Sequence, residues 1–212
     1  MINALTYEEM IKKINNNYIE RGLRNDYIGV FITRPDLESG KNILNSLDYY
    51  HHLTGRNVNF YLPGFGSYWG ENYPDKETVA KIDGTEWYFS NEQFVKFTRK
   101  LERKTKWVYS GESELILLPL IDGKIEFDKI LIFYLDDMLR DGAIKSVSAF
   151  FQQLSRLFES KSTLSEIHVA LRKDNAIELI KGAILKNLPY GIGDVITRGN
   201  YFVIMNLSLI HI

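Results

Sequence analysis

Cysteine is absent from this 212-residue chain, which excludes a disulfide framework, thiolate metal sites and a cysteine nucleophile. Long apolar runs are absent as well: none approaches the ~20 residues that a membrane-spanning helix needs. The first residues, Met1-Ile2-Asn3-Ala4-Leu5-Thr6, lack the basic flank and apolar core of a secretory signal. The expectation is a cytoplasmic protein with no membrane partner. Net charge is almost absent, since 26 basic and 27 acidic residues leave −1. No whole-molecule field draws the chain to nucleic acid, which is not an expected partner unless through a local patch. Histidine is scarce, and it forms no metal set. His51 and His52 are adjacent and so point apart on a helix, and His168 opposes the Ile167 face of a strand pattern. No cofactor is indicated.

What is present is an ordinary globular composition, 45% hydrophobic and 25% charged, in a length that suits one sizeable domain. The most informative stretch is 27–62. There the apolar run Tyr27-Ile28-Gly29-Val30-Phe31-Ile32 precedes a helical pattern and a second run, Val58-Asn59-Phe60-Tyr61-Leu62. Nearly continuous apolarity is what a parallel strand buried on both faces shows. The expected fold is therefore α/β: a mainly parallel open sheet with helices on both faces, Rossmann-like or flavodoxin-like. A C-terminal antiparallel hairpin is expected to pair 195–197 with 201–205. A single domain over 1–206 is expected, its weakest point at 160–162. Residues 207–212, Leu-Ser-Leu-Ile-His-Ile, translate one frame of a common transposon-based sequencing adapter. Two expectations stand for them: a non-native tail on a protein whose own chain continues, or a genuine apolar last strand.

Local signals place the elements. Thr6-x-x-Glu9 is a capping box with Leu5 and Met10 as its staple, opening a helix that stops near Gly22. Asp36 is expected to cap a helix reaching Gly55, on which Gly40 permits close approach to the sheet. Residues 63–84 lack a period and read as one long loop, and 86–89 as a short strand. Ser90-x-x-Gln93 opens a helix over 91–104, and Asp122-Gly123 marks a tight turn after a strand at 114–121. A strand is expected at 130–135. The clearest helix covers 143–159, with Ile144, Val147, Phe150, Phe151, Leu154, Leu157 and Phe158 in one stripe. A strand at 167–171 and a helix at 175–188 follow.

Chemistry is less explicit. Ser39-Gly40-Lys41 lacks both the upstream glycines and the following hydroxyl of a phosphate-binding loop. Open α/β sheets place ligands at strand carboxyl ends. Candidate ligand-binding residues are therefore Thr33 and Arg34 after the first strand, with Gly64, Tyr68 and Trp69 in the loop after the second. Arg34 offers a fork for phosphate or carboxylate, and the aromatics offer a stacking surface. Asp136 and Asp137 close the strand ending at Leu135, the geometry expected of a nucleophile or general base. Glu112 and Glu114 are further catalytic candidates, with Glu112 expected before its strand and so on the opposite rim. Turn and capping roles are the commoner use of such acids. Lys96, Arg99, Lys100 and Arg103 form a basic stripe opposite Phe94, Phe97 and Leu101, more often a solvated face than a phosphate contact.

Thr105-Lys106-Trp107 followed by Glu112-x-Glu114-Leu115 resembles the hydroxyl-x-Trp…Glu-Leu segment of TIR domains, over about ten residues. That resemblance implies NAD cleavage by a glutamate, Glu112 or Glu114 here. The glutamate is displaced from the TIR spacing, and Gly111 interrupts the helix expected there. The nucleoside deoxyribosyltransferases, with a glutamate nucleophile, offer an analogy of fold only. Two functional expectations follow. One is a small-molecule or nucleotide-processing domain, such as a nucleoside or NAD N-glycosidase. The other is a non-catalytic ligand-sensing or protein-interaction module of a longer, truncated bacterial protein.

Overall fold

The computed structural model describes residues 2–21, 25–53, 58–67, 72–121, 123–159, 182 and 201–206. The expected boundary at 160–162, the strand at 167–171, the helix at 175–188, the 195–197 half of the hairpin and the tail at 207–212 all lie outside them. So do Tyr68, Trp69 and His168. Among the described residues, no helix is long and apolar enough to cross a membrane.

The chain opens with β1 (Ile2–Ala4) and α1 (Tyr7–Arg21). The capping box forms: Thr6 Oγ1 accepts the Glu9 N–H at 3.1 Å, and Glu9 reaches back to the Leu5 N–H at 3.1 Å. Next come β2 (Asn25–Ile32), two short helices, α2 (Glu38–Leu44) and α3 (Leu47–Leu53), and β3 (Asn59–Pro63). The single helix expected from Asp36 to Gly55 is thus divided. Its N-cap position is Leu37, which has no side-chain acceptor, and Asp36, one residue earlier, pairs with Arg34 at 2.7 Å. Strands β2 and β3 are parallel, Ile28 opposite Asn59, as a crossover connection requires.

The rest of the sheet corrects the expected fold class. Its strand order is β1-β3-β2-β7-β9-β10, with β8 also on β7. These later strands are β7 (Glu114–Ile121), β8 (Lys124–Ile125), β9 (Lys129–Tyr134) and β10 (Phe202–Asn206). Among the described residues only β1·β3 and β2·β3 are parallel in this sheet, whereas β2·β7, β7·β8, β7·β9 and β9·β10 are antiparallel. The sheet is mixed and mostly antiparallel, neither Rossmann-like nor flavodoxin-like. Strand β7 is buried from Glu114 to Leu120, as apolar as any parallel strand. Continuous apolarity reports covering on both faces, and direction is set by the connection. After β7 the chain reverses, with Gly123 at φ 77°, and β8 pairs antiparallel with it. Strand β10 takes β9 as its antiparallel neighbour, Phe202 opposite Phe133.

The expected long loop at 63–84 is also corrected. It contains β4 (Phe65–Gly66) and β5 (Lys76–Ile82), which sandwich β6 (Thr85–Ser90) in a second, antiparallel sheet. The β5–β6 turn is Asp83-Gly84, both at positive φ, a hairpin signal present in the sequence. Helix α4 (Asn91–Lys104) follows with Ser90 as its cap. Asp75 completes the cap, accepting from Ser90 Oγ at 2.7 Å and the Glu92 N–H at 2.8 Å.

Helices α5 (Leu135–Arg140) and α6 (Val147–Glu159) close the described core. Phe151 of α6 meets Phe31 at 5.0 Å and Phe60 at 5.1 Å between ring centroids. Since Phe31 faces α6, the equally buried Val30 and Ile32 face the other way. The centre of the sheet is therefore covered on both sides.

Candidate functional site

Antiparallel pairing assembles the candidate site. Because β7 runs against β2, its first residue lies beside the last of β2, Glu114 opposite Ile32. Because β9 runs against β7, the end of β9 returns to the same place, Tyr134 opposite Glu114. Thr33, Arg34, Glu112, Glu114, Asp136 and Asp137 therefore share one rim. Glu112 does not lie on the opposite rim, because that expectation assumed a parallel β7.

The floor of the rim is a buried hydroxyl cluster. Ser113 Oγ lies 2.6 Å from Thr33 Oγ1 and accepts from Ser39 Oγ at 2.5 Å. It ties the end of β2, the first turn of α2 and the approach to β7 together. Gly40 makes that approach possible. A Cβ there would lie 2.1 Å from the Arg34 carbonyl oxygen and 2.8 Å from Thr33 Oγ1.

Each acid has a structural partner. Glu114 is fully buried. Its carboxylate accepts from the Trp107 indole N–H, and from the Ser110 N–H at 3.0 Å. Burial pushes its pKa above the usual carboxylate range, and the nearby Glu112 adds to this, against the pull of those donors. Trp107 reaches it because Thr105 ends α4, donating to the Leu101 carbonyl at 2.9 Å and accepting the Trp107 N–H at 3.2 Å. Asp136 accepts the Ser113 N–H at 2.6 Å through Oδ2. Arg140 spans Glu112 at 2.5 Å and Asp137 at 2.7 Å. Those two carboxylates hold its pKa above the usual guanidinium value.

Two groups on the rim lack such partners. Arg34 Nε and Tyr109 Oη are buried with no hydrogen-bond partner among the described residues, although Arg34 Nη2 holds Asp36. They are electrostatic neighbours. Burial pushes the Tyr109 hydroxyl up to about 12, while the Arg34 charge draws it down and Glu114, Asp36 and Asp136 oppose that pull. Orphaned buried donors are rare in folded proteins, and each calls for an acceptor.

Gly64 follows β3, the parallel neighbour of β2, and so lies at the same end of the sheet. At φ 79° it is enclosed by Phe89 and Phe94, and its N–H bonds to the Ala4 carbonyl at 3.1 Å. Among the described residues, no three His, Asp or Glu side chains are grouped to hold a metal ion. The helix that the TIR resemblance implies around 108–114 is replaced by extended and bent chain leading into β7, with Gly111 at φ 95°. Trp107, Tyr109, Ser39, Ser113 and Arg140 were missing from the sequence-derived site. Trp107 carried a signal as part of the TIR-like segment and Ser39 as part of Ser39-Gly40-Lys41, but a register between strands decides what these residues meet.

Comparison with protein-family models, with curated proteins and with solved structures finds no match to this chain.

The buried carboxyl has a measurable signature. A glutamate whose pKa is raised on folding binds its proton more tightly in the folded state. The resulting stabilisation is complete below the unfolded value of ~4.3 and is lost as pH rises through the folded value. The unmodified protein is therefore expected to gain stability relative to Glu114→Gln as pH falls from 7 towards 5. Urea midpoints of both proteins at the two pH values check this, and parallel changes would contradict the burial of a titrating carboxyl.

Proposed function

We propose that the chain is a ligand-sensing module that takes a small anionic molecule, with a phosphate or carboxylate group, beside Arg34 and Tyr109. The surrounding acids brace the rim. The observation that carries this reading is the pairing pattern. Glu112, Glu114, Asp136 and Asp137 each spend at least one oxygen on an Arg or N–H partner within the fold, while Arg34 Nε and Tyr109 Oη have none. A carboxylate that attacks a sugar centre must reach it, and Glu114 is fully buried. The Arg34 side chain, by contrast, is 36% exposed, so its guanidinium edge is within reach of an acceptor-rich group.

One observation favours N-glycosidic cleavage as a second reading. Among the described residues Asp136 is anchored through Oδ2 alone, and an anchored carboxylate with a second oxygen available is an oriented base or nucleophile. A panel of NAD, nucleotides and nucleosides separates the two readings, with calorimetry for binding and chromatography for released base. The sensing reading expects saturable binding of a phosphate-bearing member, lost in Arg34→Ala, with no base released. Base release that disappears in Asp136→Asn or Asp137→Asn would establish the glycosidase instead. Loss in Glu112→Gln or Glu114→Gln would point to TIR-like chemistry.

A further inference from the structure

Away from this rim, α4 carries an unusual concentration of charge. Residues 96–106 hold six lysines and arginines and one glutamate, in a chain whose formal charge is −1. The rest of the chain is therefore acidic by six charges, and the basic character is confined to this segment. Lys96, Arg99, Lys100 and Arg103 line a cavity of about 240 Å³ between α1 and α4. Its floor is aromatic: Tyr7 lies edge-on to Phe97, with ring centroids 5.6 Å apart. Lys96 is paired with Glu92, and Lys100 with Glu8 across the two helices. Arg99 and Arg103 are exposed and make no ion pair among the described residues. They stand one helical turn apart on one face.

We infer that this groove docks an acidic segment of a partner protein. Its carboxylates would meet the forks of Arg99 and Arg103, and an apolar side chain would rest against Tyr7. Charge complementarity names the chemistry, because two unpaired guanidinium forks suit bidentate carboxylates. Size argues against nucleic acid. The stripe from Lys96 to Lys104 runs ~12 Å along the helix, enough for about three or four phosphates of one strand. That is well short of the roughly six to ten contacts that support phosphate-driven binding. The groove also has an apolar floor that a phosphate backbone would leave unused.

Fluorescence anisotropy tests this with two labelled probes: a glutamate-rich peptide containing leucine, and a single-stranded oligonucleotide of equal length. The peptide is expected to bind saturably and more tightly than the oligonucleotide. Binding should weaken about tenfold or more in the Arg99→Ala/Arg103→Ala double variant, as loss of charge-assisted bonds implies. It should be unchanged in Lys81→Ala, an exposed site on β5, and weakened, though less than in the double variant, in Arg99→Lys, which keeps the charge but loses the fork. Because both arginines are exposed, the double variant should keep its circular dichroism and melting temperature. Tighter oligonucleotide binding, an unaffected double variant, or no binding of the peptide would each overturn the inference.

Discussion

Phe151→Ala is expected to destabilise the protein by about 3–5 kcal/mol, the cost of removing a fully buried ring and leaving its cavity. Phe151 is fully buried. It touches Phe31 on β2 and Phe60 on β3, with Tyr50 of α3 at 6.3 Å between centroids. The ring thus joins the parallel pair at the centre of the sheet to the helices that cover it. None of these neighbours can collapse inward without leaving the sheet, so the cavity should persist. The urea midpoint should fall with an unchanged slope, as expected when stability alone is altered. An unchanged midpoint would contradict the packing of α6 on this face.

Gly40→Ala is expected to act on the rim itself. The added Cβ would lie 2.1 Å from the Arg34 carbonyl oxygen, a backbone atom with no rotamer to move. Helix α2 or the chain at 33–34 must shift. Leu37 bonds its N–H to that same carbonyl at 3.2 Å, and Ser39 bonds to Ser113, so both contacts should loosen. Overpacking of this kind costs about 1–3 kcal/mol, occasionally more, despite the better helix propensity of alanine. A urea titration should show the loss. Equal or greater stability for Gly40→Ala would contradict the close approach of α2 to the end of β2.

Much of the local structure is legible in the sequence, because caps and periodicity are local properties. Thr6 and Glu9 announce α1, Ser90 and Gln93 announce α4, and the stripe containing Phe150 and Phe151 announces α6. Gly40 announces the close packing of α2. Direction within the sheet is not legible from apolarity alone, as Leu115 to Leu118 demonstrate: a fully buried antiparallel strand reads like a parallel one. That misreading placed Glu112 on the wrong rim. The antiparallel β7 instead brings Glu112 and Glu114 to Thr33, Arg34 and Asp136. Sequence identifies which side chains carry charge, but it does not show which charges are already engaged. The Arg140 bridge between Glu112 and Asp137, and the lodging of Glu114 against Trp107, depend on contacts between distant elements. Those engagements turn candidate catalysts into candidate braces and leave Arg34 and Tyr109 as the groups in need of an acceptor.

The most direct measurement is a thermal melt of the unmodified protein and Arg34→Ala, each with pyrophosphate, AMP and NAD in turn. A ligand at roughly a hundred times its Kd stabilises by about 2.7 kcal/mol, which for a chain of this size raises the melting temperature by about 5–10 °C. The expected result is such a shift with at least one of these anions in the unmodified protein and in Lys81→Ala, and its loss in Arg34→Ala. An equal shift in Arg34→Ala, or no shift with any of the three, would contradict a ligand site at Arg34 and Tyr109.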